Sequence, residues 1–254
     1  MKKIALLSMM ILLFNYVYAN EVVCKDRCYG CLIDDAQNKI FDGHREEGVN
    51  VLSAITGLSV DSRKVLAVTL LSKKEGSDVQ KIKTAQLLLE SAFREDDMKA
   101  GGILLRFYYG NKVDRNVFPE NYERAIFILK KILDQKKNST GELDTLLGEL
   151  LIKNNKEDEA IYWLEKAVDY GYLFAATDLV PVYSTGKHRD LIQAWFYSDL
   201  RGTSMASEKN ELEKQMTPEQ LEQAQQMSWD WQDAHHIRMP GYRSQGSPIQ
   251  WQMN

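Results

Sequence analysis

Four apolar stripes of helical spacing recur along this chain at a nearly regular interval. Ala85, Leu88, Leu89 and Ala92 form the first, and Ala125, Ile128, Leu129 and Ile132 the second. Ala160, Trp163, Leu164 and Ala167 form the third, and Leu191, Ala194, Trp195 and Ser198 a weaker fourth. Each follows the i, i+3, i+4, i+7 rule of an amphipathic helix. Their first positions lie 40, 35 and 31 residues apart, and a helical period in the thirties marks a helix-pair repeat. The partner helices fall between the stripes, where Leu66 with Leu70, Leu104 with Tyr108, Leu147 with Leu151 and Leu179 with Tyr183 occupy matching places. Helix pairs are therefore predicted over roughly 61–95, 97–137, 139–172 and 173–202. One pair cannot bury its apolar stripe alone, so neighbours must bury it together. The predicted fold is all-α, an α/α superhelical solenoid of about four helix-pair repeats closed by a C-terminal capping helix. Proline agrees with this, because none occurs before Pro119 and helix interiors tolerate almost none.

The repeats carry a family resemblance. Ala175-Ala176-x-x-Leu179-x-x-x-Tyr183-x-x-Gly186 resembles the first helix of a Sel-one-like repeat (SEL-1-like), a relative of the tetratricopeptide repeat. Leu147-Gly148 is similar to the family's Leu-Gly pair, and Glu157 through Gly171 resembles its second helix. Tyr108-Tyr109-Gly110 followed by Val113-Asp114 looks like the turn between them. The resemblance covers 97–202 well and 61–96 weakly. It departs from the family pattern in extra residues around Asn116–Asn121, in Trp195 standing one place off, and in Pro181, which is predicted to kink its helix or delay its start.

Beyond residue 202 the expectation is a linker and a capping helix over 203–236, then an irregular tail over 237–254. Ser204–Gln215 reads as a short helix or an exposed linker. Thr217-Pro218-Glu219-Gln220 has the cap, the N1 proline and the N3 glutamine of a capping box. Leu221, Ala224, Met227, Ser228 and Trp231 then share one face. The tail reads as a loose terminus; the alternative is that Trp251 folds back or reaches a partner, since an exposed tryptophan is costly.

The N-terminal residues read as an address. Lys2 and Lys3 precede an apolar run from Ile4 to Phe14, and Val17 and Ala19 have the small-residue pattern of a cleavage site between Ala19 and Asn20. A membrane anchor needs roughly 20 apolar residues, and this run is about half that. A signal peptide over 1–19 is expected, with no membrane insertion after cleavage. The protein would then be exported, and Lys-Lys with a short apolar run points to a bacterial periplasm. Segment 20–60 is expected to hold a cysteine-containing stretch and a capping helix.

Candidate chemistry is confined to Cys24-Lys-Asp-Arg-Cys28-Tyr-Gly-Cys31. In an oxidising compartment two of the three thiols are expected to form a local disulfide. Which two pair, spacing does not decide. The alternative is a periplasmic thiol-disulfide enzyme using the Cys28–Cys31 C-x-x-C motif, but no βαβ pattern follows it. Cys24, Cys28 and Cys31 with His44 match zinc by count alone. His44, His188, His235 and His236 show no metal-ligand spacing, and neither a nucleophile elbow nor a phosphate-binding loop occurs. No cofactor, no metal and no catalytic residue is assigned. A formal charge of −4 gives no electrostatic reason to expect nucleic acid.

Binding is what remains. The resemblance implies that the first helix of each pair lines a groove for another protein or peptide. With Leu104, Leu147 and Leu179 at the buried place, the outward groove positions fall on Lys99, Arg106 and Tyr109, on Glu142, Thr145 and Glu149, and on Phe174 and Thr177. The resemblance further implies a scaffold, a regulator or an immunity protein that neutralises a delivered toxin.

Overall fold

The computed structural model describes residues 29–71, 79–110, 115, 118–135 and 141–237. These residues are helical, with no strand among them. The chain divides into two compact units, Met1–Asn121 and Tyr122–Asn254.

In the first unit, α1 (Tyr29–Phe41) and α2 (Arg45–Ile55) form a helix pair, followed by α3 (Val60–Leu70), α4 (Val79–Arg94) and α5 (Met98–Tyr108). Where the sequence reading expects one capping helix before residue 61, the chain makes two. Gly48 is the reason they fit. A Cβ there would stand 2.5 Å from the Ala36 carbonyl oxygen and 2.6 Å from Ile40 Cγ1, so only glycine lets α2 press against α1. Each helix then binds the next through buried leucines and alanines, including Leu52, Leu66, Leu89 and Leu104. Polar ties fix the register. The Ser62 hydroxyl donates to the Ile55 carbonyl at 2.9 Å. Lys64 reaches Asp97 at 2.6 Å, and the same Asp97 caps α5 by accepting from Ala100 N. Arg63 pairs with Glu95 at 2.7 Å.

The second unit runs α6 (Tyr122–Gln135), α7 (Glu142–Lys153), α8 (Glu157–Asp169), α9 (Ala176–Ser184) and α10 (Leu191–Leu200), then α11 (Ala206–Glu213) and α12 (Pro218–Ala234). Short 3₁₀ turns occupy Leu173–Ala175, Gly186–His188 and Gly202–Met205. The stripes found in the sequence point inward. Ala125, Ile128, Leu129, Ala160, Leu164, Ala167 and Ala194 are fully buried. Trp163 departs from its stripe by being half-buried, with the Lys166 ammonium 4.4 Å from its ring centroid. At Gly148 a Cβ would stand 2.4 Å from Leu164 Cγ, which explains the Leu147-Gly148 pair as a point of helix-to-helix contact. Pro181 sits in the interior of α9, and the α-helix begins only at Ala176, after the 3₁₀ turn. Pro181 is the sixth residue of that helix, so it does not delay the start: the helix is already under way when the proline is reached.

The capping helix α12 starts as its sequence predicts. Thr217 Oγ1 accepts from Gln220 N, and Gln220 Oε1 accepts from Thr217 N at 3.0 Å. Its inner face packs on α10. There the buried Ser228 hydroxyl donates to Asp199 Oδ2 at 2.6 Å and accepts from Gln232 Nε2 at 2.9 Å. Of the two readings of Ser204–Gln215, the short helix is the one formed, and Lys209 of α11 holds Asp199 Oδ1 at 2.6 Å.

Candidate functional site

The first helices of two successive pairs, α7 and α9, border an open groove of about 540 Å³ in the second unit. It is lined by Glu142, Leu143, Thr145, Leu146 and Glu149 from α7, Tyr172 and Phe174 from the turn before α9, Thr177 and Asp178 from α9, and Arg201 at the end of α10. On α7, positions 142, 145, 146 and 149 share one face because they are three, four and seven residues apart. Phe174, Thr177 and Asp178 repeat that spacing on the other wall.

Five of the expected groove residues meet here: Glu142, Thr145, Glu149, Phe174 and Thr177. Thr145 is not outward-facing as expected. It is buried, and its hydroxyl donates to the Gly141 carbonyl at 2.8 Å, so it forms floor rather than contact surface. The physical reason is that α7 is enclosed on a broad face, with Asp144, Thr145, Leu147 and Gly148 all buried. Lys99, Arg106 and Tyr109 belong to the first unit, where Lys99 and Arg106 are exposed and Tyr109 half-buried at the end of α5. Ala19, Asn20, Cys24, Cys28 and Trp251 lie outside the described residues. Cys31 stands on the first turn of α1, exposed.

The groove's chemistry is mixed. Phe174 is 62% exposed, as Phe41 and Phe127 are also exposed, but here the ring lies within a groove. The Arg201 guanidinium carbon stands 4.5 Å from its ring centroid, and Arg201 Nε donates to Thr177 Oγ1 at 2.9 Å. Tyr172 leans on the same ring, 5.7 Å between centroids. Asp178 is half-buried, and burial pushes its carboxyl up to about 6, helped by the negative charge of Glu149 and opposed by Lys153. Sequence reasoning missed Leu143, Leu146, Tyr172, Asp178 and Arg201. Asp178 stood beside Thr177 on the same helical face and was findable. Arg201 comes from another helix, and only packing delivers it.

No group of three His, Cys, Asp or Glu among the described residues is placed to hold a metal ion. His44 is exposed and 3.7 Å from Glu47. His188 Nε2 stands 2.9 Å from Asp158. His235 stacks on Trp231, with centroids 3.9 Å apart, and its Nε2 lies 3.1 Å from the Asp169 carbonyl. No helix among the described residues is long and apolar enough to cross a membrane.

Helix pairs with a groove between successive first helices define the class as a helical-repeat protein. No family model matches the chain, and no curated protein does. Among solved structures the chain is similar to a protective antigen present in uropathogenic Escherichia coli strains and displaying an SLR (Sel1-like repeat) fold. Identity is 19% over 80% of this chain and 46% of that one, with a TM-score of 0.47. The chain thus spans about half the length of that protein.

Proposed function

We propose that this protein is an exported, non-enzymatic interaction module that holds a segment of another protein in the groove between α7 and α9. The observation that carries the reading is the exposed Phe174, set in a groove with half-buried leucines on one wall and charged groups on both. Apolar surface rimmed by charge is how protein surfaces recognise partners. Export rests on the Lys2-Lys3 start, the Ile4–Phe14 run and the Ala19–Asn20 junction, and the periplasm is the compartment that fits them. Within this reading the protein acts as a scaffold, a regulator or a toxin-neutralising immunity protein.

The test is affinity capture of a partner from a bacterial envelope extract with wild-type protein and with Phe174→Glu. Residue 174 is largely solvated, so the variant keeps its melting temperature. The expected result is a captured protein that disappears with the variant. Equal capture by both rules the groove out as the binding surface.

A further inference from the structure

The charges in the groove assign a chemistry to its occupant, and this inference rests on the reading just given. Three carboxylates line it, Glu142, Glu149 and Asp178, against one cation, Arg201. That cation is committed, because its guanidinium lies over the Phe174 ring and its Nε holds the Thr177 hydroxyl. At the Glu149–Asp178 end two carboxylates stand against the ammonium of Lys153, so that end is net negative, and Asp178 is partly desolvated. An arriving anion would add repulsion there, whereas an arriving cation would relieve it. Leu143 and Leu146 lie on the same wall, so the charged end is continuous with apolar surface. Arg201 on Phe174 also demonstrates, within the molecule, that this groove holds a cation against an aromatic face.

We propose that the groove takes an extended basic segment of a partner protein, with a lysine or arginine at Glu149 and Asp178 and an adjacent apolar side chain against Leu143, Leu146 and Phe174.

The proton on Asp178 gives the segment a second signature. Burial holds that carboxyl near 6, with Glu149 of α7 raising it further and Lys153 of α7 opposing; Arg201 is the other charged group lining the groove. A bound cation lowers that value, so binding releases a proton and weakens as pH falls through it.

The experiment uses the full mature protein and three fluorescent ten-residue peptides. All carry the same Leu and Phe positions, and their variable positions are lysine, glutamine or glutamate. The lysine peptide is expected to bind roughly tenfold or more tighter than the glutamate peptide. Glu149→Gln with Asp178→Asn is expected to remove about tenfold of that affinity, while Glu211→Gln on α11 removes none. Both substitutions keep side-chain shape, and a melting temperature no lower than the wild type's checks that the fold persists. Wild-type affinity is expected to fall between about pH 7.5 and about pH 5, and Asp178→Asn to flatten that profile. Any of three results overturns the proposal: no peptide binds, the glutamate peptide binds as well as the lysine peptide, or lysine-peptide binding ignores the double variant. Loss of the envelope partner in Phe174→Glu together with no charge preference would sink the basic segment and leave the groove reading standing. Capture untouched by Phe174→Glu would remove both.

Discussion

The Tyr183 hydroxyl donates to Glu165 Oε1 at 2.7 Å, tying the first helix of one pair to the second helix of the pair before it. In the other unit Tyr108 donates to Glu90 Oε1 at 2.6 Å, across the same separation of 18 residues. Burial and the nearby Glu165 push the Tyr183 hydroxyl well above its ordinary range, and burial does the same for Tyr197, whose hydroxyl shares Glu165 at 3.1 Å. Both phenols therefore stay neutral donors.

Tyr183→Phe is expected to lower stability by about 1 to 2 kcal/mol, because a carboxylate loses one of its two phenolic donors. Urea denaturation measures it.

Gly148→Ala places a methyl 2.4 Å from Leu164 Cγ, closer than carbon atoms approach. Overpacking of this kind costs about 1 to 3 kcal/mol, read as a lower melting temperature. Adding Leu164→Ala to it should recover less than the clash removed, since Leu164 is itself fully buried and its loss leaves a cavity.

Asp178 makes stability depend on pH. Its folded-state value near 6 lies above the ordinary aspartate value of 3.8, so the folded protein binds the proton more tightly than the unfolded chain. Stability therefore falls as pH rises from about 4 to about 6, then levels off. Asp178→Asn removes this slope and raises stability at neutral pH by about 1 kcal/mol, the partial exposure of the group having been allowed for. A slope that persists unchanged in the variant would assign it to other carboxylates.

Ser228→Ala removes one acceptor of the buried Gln232 amide and one donor to Asp199. A loss of about 1 to 3 kcal/mol is expected, with α12 the first helix to exchange its amide hydrogens. Uniform exchange across the second unit would show that the cap is not an independently loosened element.

If the protein is exported as proposed, its three cysteines are expected to give one disulfide that resists mild reductant and one remaining thiol. Rapid reversible cycling of Cys28 and Cys31 at a mild potential would point instead to redox work.

The repeat itself was legible in the sequence. Ala85, Ala125, Ala160 and Leu191 start stripes whose helical spacing is a local property, and local spacing dictates which face of a helix is apolar. The same holds for Thr217, whose capping box requires only its own next three residues. Which apolar face meets which neighbour is not local. Gly48 reads in the sequence as an ordinary helix-weakening residue, and only its contact with Ala36 and Ile40 marks the packing of α2 on α1. Thr145 looked outward by periodicity, yet the width of the contact around α7 encloses it. Arg201 reaches Phe174 only because α10 folds back along α9. The chain alone determined that it would be paired helices. Tertiary packing decided where a groove opens and which charges face into it, because those depend on distances between residues that the sequence sets far apart.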